Sequence, residues 1–161
     1  MNSNYRIRAL TEDDVKPAME LVWRVFEEFE APDYCEEGIQ TFRDFIAYPS
    51  ILQQFHENAM QFWGCFLNGA VIGLIAKRGE SHISLLFVDK RYQKQGIATA
   101  LFHTLLEHCK TVASVPEITV NSSPYAVKIY RKLGFTAADV EKTADGIRFT
   151  PMSFPCTEKD R

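Results

Sequence analysis

The sequence predicts an α/β protein of the α+β kind, built on a mixed, mostly antiparallel sheet of about seven strands with about four helices around it. Three observations carry that reading. Runs with a two-residue period and runs with a 3.6-residue period alternate along the chain. Asn68-Gly69 and Asp145-Gly146, each between β-rich runs, are hairpin signals. Between them, the apolar run His82 to Val88 is followed by helix, strand and helix, the order of a parallel crossover. A length of 161 residues fits one domain, taken as residues 1–161.

From Tyr5 to Leu10, Ile7 and Ala9 alternate with Arg6 and Arg8, the period of a short first strand. Thr11-x-x-Asp14 is an N-cap signature ahead of Val15, Ala18, Met19, Val22, Val25, Phe26 and Phe29, which share a helical face. Pro17 is tolerated only near a helix start, so the first regular turn is placed around Asp14 and not earlier. After Ala31-Pro32-Asp33, the spacing of Ile39, Phe42, Phe45 and Ile46 predicts a second helix that ends before Pro49. Ser50 to Asn58 is ambiguous. Strands two and three, Gln61 to Leu67 and Ala70 to Lys77, flank Asn68-Gly69. His82 to Val88 is apolar enough to be covered on both faces and is the central fourth strand. A polar loop, Asp89 to Gln95, leads through Gly96 into a helix running from Ile97 to Cys109. Ile118 to Val120 is the fifth strand, and Ala126, Ile129, Tyr130 and Leu133 form a last helical face closed by Gly134. A weak strand at Phe135 to Glu141 and a better one at Ile147 to Phe154 complete the sheet.

Composition narrows the function. Hydrophobic residues make up 46% and charged residues 24%, an ordinary globular balance. A net charge of -3 gives no overall attraction to phosphate backbones or anionic lipid, so neither nucleic acid nor a membrane is an expected partner. Cys35, Cys65, Cys109 and Cys156 are far apart with no C-x-x-C pair, so no metal site and no disulfide scaffold is expected. Glu12, Asp13 and Asp14 follow the first ten residues where a signal peptide would be apolar, and no apolar run approaches the roughly 20 residues that span a bilayer. A cytoplasmic protein with reduced thiols is expected, with a homodimer left open.

The segment from Val88 to Leu101 puts small residues at a helix N-terminus, where backbone N–H groups lack intrahelical partners. Gly96 permits close backbone approach, Ala98 keeps the first turn low, and the helix dipole favours an anion such as a pyrophosphate. Neither the G-K-[ST] of a P-loop nor a three-glycine dinucleotide fingerprint is present, so ATP and NAD are not supported.

Gln93-Lys94-Gln95-Gly96-Ile97-Ala98 matches [QR]-x-x-G-x-[GA], and here the chain resembles the GNAT superfamily of N-acetyltransferases. The preceding strand and a downstream A-x-x-x-Y-x-x-x-G-F run, Ala126 to Phe135, are similar to that family as well. The resemblance is strong over His82 to Phe135 and extends in element order to the whole chain. It implies a GNAT-like sheet splayed at a bulge between strands four and five, with acetyl-CoA as co-substrate and no metal. It also implies a pantetheine arm along Leu86, Phe87 and Val88 and pyrophosphate on Gln93, Lys94, Gln95, Gly96, Ile97, Ala98 and Thr99. Ala126 and Tyr130 then border the thioester, and Ser123, where relatives often carry Asn, and Asn121 are further cofactor contacts.

The chemistry implied is direct attack of a primary amine of a small molecule, peptide or protein. A backbone N–H near Phe87 would polarise the thioester carbonyl. Tyr130, a phenol with an ordinary pKa of about 10, would protonate the departing thiolate. The base is not identified: Glu27, Glu28, Glu30, Asp33, His82 and Glu117 are candidates for which a solvated surface role carries more weight, and a water chain to solvent is a further route. Lys90, Arg91 and Lys94 either help hold CoA phosphates or are solvated charges. Phe26, Phe29, Phe42, Phe45 and Trp63 either line an acceptor pocket or belong to the core. Cys65 and Cys109 read as buried small hydrophobes. A CoA-binding regulatory or interaction domain without turnover is the alternative; Tyr130 together with the intact loop favours an enzyme.

Overall fold

The computed structural model describes residues 4–112 and 115–156. Its strands are β1 (Arg6–Ala9), β2 (Met60–Leu67), β3 (Ala70–Arg78), β4 (His82–Val88), β5 (Glu117–Ser122), β6 (Thr136–Ala137), β7 (Lys142–Ala144) and β8 (Ile147–Pro155). Its helices are α1 (Glu12–Phe29), α2 (Glu36–Phe45), α3 (Tyr48–His56), α4 (Ile97–Val112) and α5 (Val127–Leu133). The strands form one sheet in the order β1-β2-β3-β4-β5-β8-β6, with β7 paired to β8 off that path. Every pairing is antiparallel except β4 with β5, which α4 joins as a crossover.

Both hairpin signals are satisfied in the same way. Asn68 and Gly69 have φ of 51° and 83°, and Asp145 and Gly146 have 53° and 79°, the two left-handed residues that a tight twisted turn requires.

The first helix begins two residues earlier than Pro17 suggested. Asp14 explains it: its carboxylate accepts the Thr11 backbone N–H at 2.7 Å, the Thr11 hydroxyl at 2.9 Å and the Arg8 guanidinium at 2.7 Å. Those bonds, that from Arg8 foremost, hold the Asp14 pKa at about 2 despite partial burial. With the N-terminus tied down at Thr11, Pro17 leaves a single helical bond unmade in the second turn. The ambiguous stretch after Pro49 is helical as well. Pro49 both ends the preceding segment and sits in the first turn of α3, where a missing N–H costs nothing, and Ile51 is fully buried. The weak strand predicted at Phe135 to Glu141 shortens to β6, because the Asp139 carboxylate accepts the Val140 N–H at 2.7 Å and turns the chain out with Val140 exposed, and β7, beyond the predicted span, was not expected.

Two apolar layers cover the sheet. On one face α1 buries Val15, Ala18, Val22 and Phe26 against Leu74, Ala76, Leu85 and Phe87. On the other, α4 buries Ile97, Leu101, Leu105 and Cys109 against Ile75 and Ile83. Neighbouring residues of β3 and β4 thus serve opposite layers, which is why both strands read as continuous apolar runs. Cys65 and Cys109 lie in the second layer as buried hydrophobes, and burial raises both thiol pKa values, that of Cys65 to about 11.

The turn between β7 and β8 rests on α2 through two glycines. A Cβ on Gly38 would overlap the carbonyl oxygen of Gly146, and the Thr41 hydroxyl donates to the Asp145 carbonyl at 2.8 Å. Gly38→Ala is therefore expected to lower stability by about 1–3 kcal/mol, read as the shift of the urea unfolding midpoint at constant slope. An unchanged midpoint would mean that the hairpin lifts off the helix without cost.

Candidate active site

The parallel pairing of β4 with β5 covers two residue pairs, His82 with Thr119 and Ile83 with Val120. The next residue, Ser84, is a bulge: β3 pairs Lys77 with Ile83 and Ala76 with Leu85, so Ser84 has no partner. From there the strands part while β5 continues with β8, pairing Asn121 with Pro151 and Ser122 with Thr150. The bulge and splay expected between strands four and five are present.

The free edge of β4 has a definite polarity. The Asp89 N–H donates to the Ile72 carbonyl at 2.8 Å, so along this antiparallel ladder Asp89 and Phe87 turn their backbone groups toward β3, and Val88 and Leu86 turn theirs into the gap. The fixed donor beside the gap is thus that of Leu86 or Val88, not that of Phe87. The Val88 carbonyl already accepts the Gln93 side chain at 3.0 Å, which ties the following loop to the strand.

That loop is organised by Asp89. Its buried carboxylate accepts the Arg91 backbone N–H at 2.9 Å, the Arg91 side chain at 3.2 Å and Arg24 at 3.2 Å. Burial opposes its ionisation, and these bonds together outweigh burial and keep its pKa low. No other described residue accepts a hydrogen bond from the backbone N–H groups of 94 to 99. Gly96 has φ of 86°, and the space its Cβ would fill is open. An anion-sized cradle of unpaired donors at a helix N-terminus fits a pyrophosphate.

The groove that runs from this cradle to the gap, a cavity of about 260 Å³, is lined by Leu86, Phe87, Val88, Gln93, Lys94, Gly96, Ile97, Ala98, Thr99, Ala126 and Tyr130, all expected from sequence. Lys132 lines it too, a cation that the sequence reading missed. Lys90 and Arg91 are committed elsewhere, Lys90 to Glu28 at 2.7 Å and Arg91 to Asp89. Three further expected cofactor contacts lie off this groove. Gln95 turns its amide to the Arg91 carbonyl at 3.4 Å, and Asn121 and Ser123 line a second cavity.

The second cavity, about 420 Å³, opens on the other side of the gap between α2, β4 and the β7–β8 hairpin. Phe42 and Phe45 line it, as does Tyr34, which the sequence reading did not single out. Phe26 is fully buried in the core, Phe29 stacks on Tyr125 with ring centroids 5.2 Å apart, and Trp63 packs against His108 on the opposite layer.

The two cavities share five residues: Glu30, Leu86, Phe87, Ala126 and Tyr130. Tyr130 is buried on α5, its ring edge-on to Phe135, and burial followed by the charge of Glu30 pushes its pKa well above the ordinary tyrosine value. Glu30, just past the end of α1, is also buried. Burial raises its pKa to about 7, against a lowering hydrogen bond from Ser123, and nearby Asp33 adds to the rise. Ser123 is held in turn, its oxygen accepting the Ala126 N–H at 3.2 Å. The solvated-surface reading thus fails for Glu30. It holds for Glu28, paired with Lys90, and for exposed Glu27 and Glu117. His82 lines the second cavity and not the first, its Nδ1 2.8 Å from the Thr119 hydroxyl, with burial pushing its pKa down to about 4.

A sheet parted at its one parallel pair, with an anion cradle at the mouth of the gap, defines the class of acyl-CoA-binding acetyltransferase folds. Residues 30–156 match the family described as Acetyltransferase (GNAT) domain, and the chain belongs to that family. It is 27% identical over 150 residues to the Uncharacterized N-acetyltransferase MJ1207 of Methanocaldococcus jannaschii, covering 86% of this chain and 63% of that protein. The chain therefore spans less than two thirds of that relative. Among solved structures, a GCN5-related N-acetyltransferase from Rhodopseudomonas palustris superposes with a TM-score of 0.80 at 18% identity, covering 96% of this chain and 98% of that one. The PaiA N-acetyltransferase of Thermoplasma acidophilum, solved with coenzyme A, gives 0.79 at 20%, covering 96% and 99%. These confirm the fold. No helix among the described residues is long and apolar enough to cross a membrane, and among them no group of three or more His, Cys, Asp or Glu could hold a metal ion.

If the cradle holds the cofactor phosphates, Gly96→Val, which fills that open space with a branched side chain at a left-handed φ, should weaken CoA binding at least about tenfold while the protein still unfolds cooperatively. Isothermal titration with CoA measures it, and wild-type affinity in a folded variant would put the phosphates elsewhere.

Proposed function

We propose that the chain is an acetyl-CoA-dependent N-acetyltransferase acting in the cytoplasm on a primary amine of a small molecule or peptide, with residues 1–161 as one catalytic domain and neither nucleic acid nor membrane as partner. One observation carries the reading. A buried carboxylate with a pKa of about 7 and a buried phenol stand together where a phosphate-cradling groove meets an aromatic pocket.

When bound, acetyl-CoA supplies the acetyl group as an activated thioester. The chain supplies everything else. Lys94 to Thr99 would hold the pyrophosphate through backbone N–H groups, and Leu86 and Val88 would pair with the pantetheine arm. The N–H of Leu86 or of Val88, fixed on β4 and turned into the gap, would stabilise negative charge growing on the acyl oxygen.

Proton transfer falls to the shared pair. A free alkylammonium has a pKa of about 10 and is almost wholly charged at neutral pH, so a base must take its proton before nitrogen can attack. Glu30, with its raised pKa, is a better base than an exposed glutamate and is still about half ionised at neutral pH. Tyr130 stays a phenol at every physiological pH and hands its proton toward the departing sulfur. The two steps are coupled through charge. Ionised Glu30 opposes ionisation of Tyr130, and once Glu30 has taken the amine's proton that opposition is gone, so the acid strengthens after the base has acted. Ser123 orients Glu30 in this scheme.

Free thiol release from acetyl-CoA with an active amine tests each role. Tyr130→Phe should lower kcat by about 10²-fold or more and leave CoA affinity nearly intact; near-wild-type kcat would remove it from the mechanism. In the wild type, kcat/KM should fall about tenfold per pH unit below pH 7, because Glu30 is protonated and inactive as a base there. Glu30→Gln should abolish that limb along with most of the rate. Ser123→Ala removes a bond that favours the ionised carboxylate, so its limb should move to higher pH. A limb that stays in place would assign the titration to another group.

A further inference from the structure

The walls of the acceptor cavity differ from its two ends. Tyr34, Phe42, Phe45, Phe87 and Phe149 supply aromatic surface along its length. Its carboxylates are two: Glu30 at the inner end, beside the gap, and Asp145 at the rim, on the β7–β8 hairpin. A polyamine or aminosugar would set several ammonium groups against these apolar walls, each costly to desolvate without a partner. A single amine on an apolar body would not.

The outer end carries a cation. Arg78, the last residue of β3, lines the cavity there, opposite His82 across the β3–β4 ladder. Arg8, Arg24, Arg91 and Arg148 each pair with a carboxylate within 3.3 Å. Arg78 has no such partner among the described residues, and adjacent His82, held neutral, adds no charge. From His82 to Leu86 is four strand residues, roughly 13 Å, so Arg78 and the Glu30 end stand at opposite ends of one aromatic wall.

We propose that the acceptor is an aromatic or branched apolar amine bearing one carboxylate, with the amine at Glu30, the body along the Phe42 and Phe87 wall, and the carboxylate received by Arg78. This rests on the acetyltransferase reading. A guanidinium receives a planar carboxylate with two parallel hydrogen bonds, so Arg78 sets register as well as charge.

Three matched amines test it: 4-(2-aminoethyl)benzoate, 2-phenylethylamine, and 4-(aminomethyl)phenylethylamine, with spermidine as a polyamine. Binding to the CoA-saturated protein is measured by calorimetry, and kcat/KM by thiol release. The carboxylate acceptor should bind about tenfold or more tightly than phenylethylamine, and Arg78→Gln should erase that difference. Arg78→Lys, which keeps the charge without the planar fork, should restore part of it. Equal binding of the three, preference for the diamine or spermidine, a preference that survives in Arg78→Gln, or no binding of any of them to CoA-saturated protein would each overturn the proposal. Failure of CoA itself to bind or to raise the melting temperature would instead overturn the acetyltransferase reading on which it stands.

Discussion

Parallel strands share slanted, evenly spaced hydrogen bonds, and a pair that stops sharing them must leave backbone donors and acceptors exposed to something else. In this protein β4 and β5 stop after two residue pairs. The Ser84 bulge on β4 is the local cause, since an unpaired residue bends the strand and increases its twist. The two strands cannot close again further on, because β5 is held through its whole length by β8 while β4 is held by β3. The gap is thus fixed by pairing on its outer sides. The Ser84 hydroxyl, buried at the start of the gap with no hydrogen-bond partner among the described residues and lining the second cavity, marks the place where the ladder fails.

Everything chemical is arranged around that gap. The alternation of the β3–β4 ladder selects Leu86 and Val88 as the residues whose backbone faces it. Asp89, the first residue beyond the strand, gathers Arg91 and Arg24 so that the loop folds back and presents unbonded N–H groups at the start of α4. On the opposite side, α2 and the β7–β8 hairpin meet through Gly38 and Gly146 and enclose an aromatic space. Glu30 and Tyr130 come from distant parts of the chain, the end of α1 and the middle of α5, and are neighbours only because the parted strands let both reach the same cleft. Their pKa shifts have the same leading cause, withdrawal from water, which disfavours the charged form of each.

Local sequence was a good guide wherever the physics is local. A hairpin needs two left-handed residues, and Asn-Gly and Asp-Gly declare them; a helix that ends an anion loop needs a small-residue turn, and Gln93 to Thr99 declares it. It was a poor guide where a distant group decides. Pro17 argued for a late helix start, and the bonds from Thr11 and Arg8 to Asp14 overrode it. Val140 reads as a strand residue, and its neighbour Asp139 turned it outward. Ser123, a departure from the family's usual Asn, hydrogen-bonds Glu30, a residue 93 positions earlier, which no local pattern shows.

The sequence by itself determined most of the element order, all but α3 and β7, along with the two-layered apolar pattern and the loop from Gln93 to Thr99, because periodicity and turn chemistry are written over short spans. Tyr130 was singled out by the likeness of the Ala126 to Phe135 run to the GNAT family. That Glu30 alone of the six candidate bases is a buried carboxylate lay beyond the sequence. All of them are polar residues beside ordinary surface patterns, and what separates Glu30 is burial, which depends on Ser123, Tyr130 and Tyr34 arriving from other elements. The same holds for Arg78 and the acceptor walls. A strand-end arginine carries no mark of what it faces, and only the folded sheet sets it at the far end of an aromatic cleft with no acidic partner among the described residues.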